Sequence, residues 1–347
     1  MERVLIIGGG SWGTAIAKVL GEKGLDVCVW VRRSAVCEAI NKEKENPFYL
    51  PGIKLPEKVK AGLDLKEIVK DREVAFWMIP SYAVKDVVKN YGEVLKEVKL
   101  HISGIKGIDF ESGKSPFLTL KEFLKDSKRI FVLGGPSFAK EIAEGLPAAV
   151  VVAGEDEELT SSVQKLLAHS YLRVYRSDDP IGVEIAGALK NVIAIASGIC
   201  DGLGLGLNAR AALITRGLIE IIRLGTRLGG KLHTFYGLAG LGDLVLTCTG
   251  ALSRNYQVGY RLGRGETLEH AIEALHQVAE GVKTCKVVVE LAKNYGVEMP
   301  ICEEVYRVLY EKESPIKGLK RLLSRELKRE FEETLLTKHL NGIKIDL

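Results

Sequence analysis

The chain opens on an apolar run, Arg3-Val4-Leu5-Ile6-Ile7, that passes straight into the glycine-rich turn Gly8-Gly9-Gly10-Ser11-Trp12-Gly13. Gly8, Gly10 and Gly13 have the spacing G-x-G-x-x-G. The first glycine permits a tight turn, the second lets backbone approach a pyrophosphate, and the third lets the next helix lie close on the strand. From Thr14 the apolar residues recur at helical spacing, and a second apolar strand, Val27–Val31, arrives where a strand–helix–strand unit needs it. The N–H groups at the start of that helix would face bound phosphates. A glycine turn that only joins strand to helix is the plainer alternative, but it leaves the second strand unexplained.

In such units an acidic residue about 20 positions after the glycines holds the ribose hydroxyls of NAD. Here that place is taken by Arg32 and Arg33. Guanidinium groups suit a 2′-phosphate through charge-assisted, bidentate bonds, so the pair predicts NADPH in preference to NADH. Two surface arginines opening a helix remain the alternative.

With 347 residues the chain is long enough for two domains. Apolar residues make up 46% and charged residues 27%, and 49 basic against 45 acidic side chains leave a net charge of +4. That small excess argues against nucleic acid as the main partner. The six cysteines form no C-x-x-C pair and the six histidines no H-E-x-x-H, which predicts reduced thiols and no metal. A first strand beginning at residue 3 leaves no room for a signal peptide. Glu184 and Lys190 interrupt the apolar stretch Ile181–Ile199, so a cytoplasmic protein without a spanning segment is expected.

Up to about residue 178 short β-branched runs alternate with helical patterns, as in a parallel sheet covered on both faces. Strands are predicted at Val4–Ile7, Val27–Val31, Val74–Ile79, Leu100–Ser103, Ile130–Leu133, Ala148–Ala153 and Leu172–Tyr175. The loops Pro80-Ser81, Gly104–Gly107 and Gly134–Ser137 then point at one crevice beyond the strand ends. After Ser177-Asp-Asp-Pro180 the pattern is helical, dividing the chain at 1–179 and 180–347. Leu322–Leu336, with Lys328/Glu332 and Arg329/Glu333 four apart, predicts a solvated terminal helix. The expected class is α/β: a doubly wound N-terminal sheet followed by an all-helical C-terminal domain.

Within the apolar helix predicted at Gly182–Ile199, Lys190 needs a reason. Desolvation lowers the pKa of an ammonium and lets it exchange a proton near neutrality, as carbonyl reduction requires. A lysine that snorkels to the surface is the alternative. Asp243, set among glycines and apolar residues, is a candidate partner for Lys190, or else a helix N-cap. Ser253-Arg254-Asn255 has the composition of a phosphate clamp and equally that of a helix start. The glycine-rich Asp201–Gly206 follows a helix, not a strand, and is read as an interhelical turn.

The order of motifs resembles the bacterial-type NAD(P)-dependent glycerol-3-phosphate dehydrogenases. It is carried by Gly8-x-Gly-x-Trp12-Gly-Thr, Asn46-Pro-x-Tyr49-Leu-Pro-Gly52, Lys106-Gly107, Gly135-Pro-Ser-Phe-Ala139-x-Glu141 and Ala188-Leu-Lys-Asn-Val192. Asp201-Gly-Leu-Gly-x-Gly-x-Asn208, Gly240-x-Gly-Asp-Leu244 and Ser253-Arg-Asn255 continue it, and only Phe331 onward lies outside the pattern. Gly250 and Ile105 depart from the usual residues without removing a catalytic group.

The resemblance implies a Rossmann-like first domain and a second of the 6-phosphogluconate-dehydrogenase-like type; a homodimer built on the helical half is a separate expectation. The implied reaction reduces dihydroxyacetone phosphate reversibly to sn-glycerol 3-phosphate for phospholipids. It further implies that Lys190 is the acid/base group, that Asp243 sets its charge, and that Lys106 holds substrate and polarises the developing alkoxide. Ser253, Arg254 and Asn255 would bind the substrate phosphate and glycerol end, with Gly135 and Ser137 closing the site. Besides the glycine turn, Ser11, Trp12, Arg32, Arg33 and Lys106 would touch the cofactor, as would Ala139, Arg254, Val278 and Glu280.

Two rival readings remain at this point. Another two-domain dehydrogenase of the 6-phosphogluconate or 3-hydroxyacid type would lack the Gly-Asp-Leu and Ser-Arg-Asn stretches. A nucleotide-sensing regulator would need a DNA-reading element and would give Lys190, Asp243 and Arg254 no shared purpose.

Overall fold

The computed structural model describes residues 1–275 and 278–330. Its strands are β1 (Arg3–Ile7), β2 (Asp26–Trp30), β3 (Glu45–Asn46), β4 (Leu50–Lys54), β5 (Val59–Gly62), β6 (Val74–Trp77), β7 (Leu100–Ser103), β8 (Ile130–Gly134), β9 (Ala148–Gly154) and β10 (Leu172–Ser177). All except β3 and β4, which pair as a small antiparallel ladder, join one sheet in the order β10-β9-β8-β7-β6-β1-β2-β5. The chain builds outward from β1 to β2 and β5, then returns to the other side of β1 with β6. That reversal between β1 and β6 creates the crevice where open α/β sheets hold ligands. β1 itself reads Val-Leu-Ile-Ile because it is covered on both faces: Val4 and Ile6 join one apolar cluster, Leu5 and Ile7 the other.

Two expectations are corrected here. The sheet is not wholly parallel, because β8 pairs antiparallel with β9. The connection between them, residues 135–147, carries only the five-residue helix Ala139–Ala143, in place of the longer covering helix that usually makes a parallel crossover. The last described helix is Pro315–Leu323, and residues 324–330, inside the expected helix Leu322–Leu336, are not helical. Leu323 and Leu327 are 77% and 97% exposed, so no buried face supports a longer helix. Charge pairs contribute only about 0.2–0.5 kcal/mol each, too little to hold one. Phe331 onward, including Glu332 and Glu333, lies outside the described residues.

From Pro180 to Glu330 the described residues form helices and their connections only. The axis of this half is the helix Pro180–Gly202, started by Asp179, whose carboxylate accepts from Gly182 N at 2.8 Å. The helix is long and apolar enough to cross a membrane, yet it is buried within the protein. The turn between this helix and Gly206–Arg227 is residues 203–205, inside the expected stretch Asp201–Gly206, whose ends belong to the two helices. Arg254–Gly263 crosses the buried helix at backbone contact. A Cβ on Gly198 would come within 2.0 Å of the Tyr256 carbonyl oxygen, and one on Gly259 within 2.0 Å of that of Ile195. Arg254 and Asn255, at the start of the crossing helix, line the same cleft as Lys190 and Asn191.

Candidate active site

The glycine turn forms one wall of the cleft, at the carboxyl ends of β1 and β6. Gly8 has φ +114°, and a Cβ there would meet the Met78 carbonyl oxygen at 2.6 Å. At Gly13 a Cβ would stand 2.0 Å from the Gly8 carbonyl oxygen, so only glycine lets the following helix lie on the turn. A Cβ on Gly10 would meet nothing within 4 Å, since this glycine faces open space. The helix Ser11–Glu22 has no acidic residue in its first turn and no side-chain cap, which leaves its N-terminal N–H groups available to an anion. Asn46 braces the turn, its Nδ2 donating to Gly9 O at 2.9 Å and Thr14 Oγ1 at 2.8 Å.

Arg32 and Arg33 stand exposed on the rim beyond β2, and the Arg33 guanidinium lies 4.7 Å from the centroid of the Phe48 ring. Trp12 lines the cleft, with its buried Nε1 lacking a hydrogen-bond partner. An uncapped helix end, an open face at Gly10 and two guanidinium groups on the rim together fit a dinucleotide phosphate.

The opposite wall is built from buried charge. Lys190 is 5% exposed, and its Nζ donates to Asp243 Oδ1 at 2.6 Å and Thr247 Oγ1 at 2.5 Å. The lysine therefore does not snorkel. Asp243, 1% exposed, opens the helix Asp243–Thr249 without capping it, and its other oxygen accepts from Lys106 Nζ at 2.8 Å. Lys106 also donates to Gly135 O and Ser137 Oγ, each at 3.0 Å. One carboxylate thus stands between two amines. Burial lowers the Lys190 pKa to about 8; Asp243 opposes that shift, and Lys106 adds to it. An ammonium in that range can give or take a proton near neutral pH.

The third side is the start of Arg254–Gly263. Ser253 caps this helix, accepting from Tyr256 N at 3.2 Å, while Asn255 Oδ1 accepts from Gly281 N at 2.9 Å. Ser253-Arg254-Asn255 is therefore a helix start that also lines the cleft. Arg254 is open to the cleft yet walled by protein, and this desolvation lowers its pKa against the opposing charge of Glu280. Glu280 accepts from Ser81 N at 3.2 Å and Ser81 Oγ at 2.9 Å, bridging the helix Glu280–Tyr295 to the turn after β6. Desolvation raises the Glu280 pKa.

These walls enclose about 780 Å³. Gly8, Gly10, Ser11, Trp12, Arg32, Arg33, Lys106, Ser137 and Ala139 line the space from the sheet half. Lys190, Ser253, Arg254, Asn255, Val278 and Glu280 line it from the helical half. Gly13, Gly135 and Asp243 stand behind: Gly13 beneath the turn, the other two as acceptors for the lysines. Among the described residues no group of three or more His, Cys, Asp or Glu could hold a metal ion.

Sequence reasoning missed Thr247 and Asn191. Thr247 lies one helical turn after Asp243, and Asn191 Nδ2 donates to Lys106 O at 2.9 Å. A hydroxyl four residues after a buried carboxylate and an amide beside a buried lysine were the available signals.

A family model for the N-terminus of NAD-dependent glycerol-3-phosphate dehydrogenase matches residues 3–160, and one for its C-terminus matches 179–320. Glycerol-3-phosphate dehydrogenase [NAD(P)+] of Syntrophobacter fumaroxidans is 44% identical over 329 residues, covering 94% of this chain and 97% of that protein. The same-named protein of Halothermothrix orenii is 43% identical, over 96% and 98%. The crystal structure of glycerol-3-phosphate dehydrogenase from Coxiella burnetii superposes with a TM-score of 0.89 at 39% identity, covering 93% of this chain and 99% of that one.

Proposed function

The chain belongs to the NAD-dependent glycerol-3-phosphate dehydrogenase family, and from that membership we propose how its residues divide the work of the reaction. The reaction is the reversible, NAD(P)H-dependent reduction of dihydroxyacetone phosphate to sn-glycerol 3-phosphate. When bound, the nicotinamide supplies hydride to the C2 carbonyl, or removes it from glycerol 3-phosphate.

Lys190 protonates the oxygen that develops on C2 and recovers that proton in the oxidation. Asp243 keeps the amine charged and aimed, and Thr247 fixes its approach from the other side. Lys106 opposes the negative charge on the developing oxygen, a task suited to fixed positive charge in a secluded site. Arg254, with Ser253 and Asn255, holds the phosphate and glycerol end, and Gly135 and Ser137 hold Lys106 in place. Gly8, Gly10, Ser11, Trp12 and Gly13 cradle the cofactor pyrophosphate. Arg32 and Arg33 take a 2′-phosphate and so favour NADPH, while Ala139, Val278 and Glu280 complete the cofactor wall.

The observation that carries these assignments is a 5%-exposed lysine whose Nζ lies 2.6 Å from a buried carboxylate at the edge of the cleft. The test follows NADPH absorbance after addition of dihydroxyacetone phosphate, for the parent and for Lys190→Ala. A loss of at least about a hundredfold is expected, in keeping with a positioned acid/base group. Activity near the parent's would contradict the assigned role.

The proposed division of the chain is 1–179 for cofactor and 180–347 for substrate and catalysis, in line with the start of the buried helix at Pro180. Six free cysteines support a reducing, cytoplasmic setting. Leu207, 71% exposed at the start of Gly206–Arg227, supports a homodimer formed through the helical half. The product then supplies the glycerol backbone of phospholipids.

A further inference from the structure

We infer that Glu184 is a positioning residue for the lysine pair: from the buried helix it holds the far end of the 104–117 segment, and so sets where Lys106 meets Asp243 and the substrate. The inference rests on the reading that Lys106 acts on the substrate.

The segment leaves β7 at Ser103, passes through Lys106 and becomes helical at Pro116–Leu124. Pro116 has no N–H, so the N–H of Phe117 is the first orphan donor of that helix. It donates to both carboxyl oxygens of Glu184, at 2.9 and 3.1 Å. The side chain of Ser115 bonds the same carboxyl. The near end is tied as well, since Asn191 Nδ2 donates to Lys106 O at 2.9 Å.

Glu184 and Asn191 are seven residues apart, about two turns, and so lie on one side of the helix. Gly187 lies between them, and a Cβ there would meet Lys106 Cγ at 3.5 Å, so the segment runs along that side. Both of its ends are thereby fastened to the helix that carries Lys190. The two amines, on separate stretches of chain, share one frame.

Glu184 is 2% exposed, and its described partners are N–H and O–H groups without a cation. Burial raises its pKa to about 8. An acid in so apolar a setting is unfavourable unless its hydrogen bonds are needed. Displacing a reacting group by about 1 Å can cost about a hundredfold in rate, which gives the anchoring of Lys106 its consequence.

The test measures dihydroxyacetone phosphate reduction by the full chain carrying Glu184→Ala, Glu184→Asp or Glu184→Gln, each alone and combined with Lys106→Ala. Glu184→Ala is expected to lower kcat about 10- to 100-fold, with the KM for NADPH unchanged. Glu184→Gln keeps an acceptor for the Phe117 N–H and recovers most of that loss. In the Lys106→Ala background, Glu184→Ala costs less than about threefold more, as for residues acting through one another. Hydrogen exchange in 104–117 rises with Glu184→Ala while that of Gly206–Arg227 does not. Should the alanine variant fail to fold, Glu184→Asp retracts the carboxyl by about 1.5 Å and serves in its place.

Equal fold losses in the two backgrounds, or a lower melting temperature with kcat unaltered, would overturn the inference. Parental activity in Lys106→Ala alone would defeat the reading of Lys106 and the inference with it. An impaired Lys106→Ala with an independent Glu184 effect would defeat the inference only.

Discussion

The two walls of the cleft are made of different materials. On the sheet side the groups offered to a ligand are main-chain N–H donors at a glycine turn, with two arginines in water at the rim. On the helical side they are side-chain charges withdrawn from water: Lys190 and Asp243 are 5% and 1% exposed. The first wall can take a large anionic cofactor with little reorganisation, because an uncapped helix end is already a site for phosphate. The second places charge where water screens it weakly and shifts proton affinity, as reaction at a carbonyl needs. Binding and chemistry are thus assigned to opposite sides of one space.

Substitutions can break this contrast. The largest of these effects is expected for Arg254→Ala, which removes the guanidinium proposed to hold the substrate phosphate. KM for dihydroxyacetone phosphate should rise about 10- to 100-fold, the worth of hydrogen bonds to a charged group at 1.5–3 kcal/mol, while KM for NADPH moves less. An unchanged substrate KM would remove Arg254 from the phosphate site. A smaller and oppositely selective effect is expected on the other wall. Arg32→Ala combined with Arg33→Ala should raise KM for NADPH by about tenfold and leave that for NADH nearly unaltered. Equal changes for the two cofactors would mean that the rim arginines do not read the 2′-phosphate.

The shape of the sheet-side wall was legible in the sequence because it depends on backbone, and backbone constraints appear as residue types at fixed spacing. Gly8 and Gly13 have to be glycine for reasons that involve neighbouring main chain. The helical wall was only partly legible. Lys190 stood out against its apolar surroundings, but its partner lies 53 residues away, and Lys106 is 137 residues from the same carboxylate. No local pattern records such a meeting. Thr247 and Asn191 were overlooked because a hydroxyl or amide in a helix is unremarkable until its partner is known.

The fold shows the same limit. β5 escaped notice because this edge strand has one fully buried residue, Val59, in its four. The direction of β9 could not be read from apolar periodicity, since a strand covered on both faces has the same composition whichever way it runs. Glu184 was seen only as an interruption of an apolar stretch; its purpose depends on the N-terminus of a helix 67 residues earlier.

The smallest effect concerns stability. Glu184 keeps its proton to about 8 in the folded state against 4.5 for an ordinary glutamate. Its contribution is therefore fully present below pH 4.5 and is lost as pH rises through about 8. Glu220, which accepts from the Ile301 and Cys302 N–H groups and is raised to about 7 by burial, acts in the same direction. Melting temperatures recorded from pH 5 to 9 should fall for the parent and fall less for Glu184→Gln, by about 5 °C over the range. Parallel curves would show that this carboxyl titrates normally.

The most direct test of the buried charge cluster is the pH dependence of kcat/KM in both directions, for the parent enzyme. With Lys190 in its proposed acid/base role, reduction should decline as pH rises through about 8 and the ammonium is lost, whereas oxidation of glycerol 3-phosphate, which would use the free amine, should rise over the same interval. Profiles that stay flat across that interval, or that keep their midpoint when Lys190 is replaced by alanine, would contradict proton transfer by this residue.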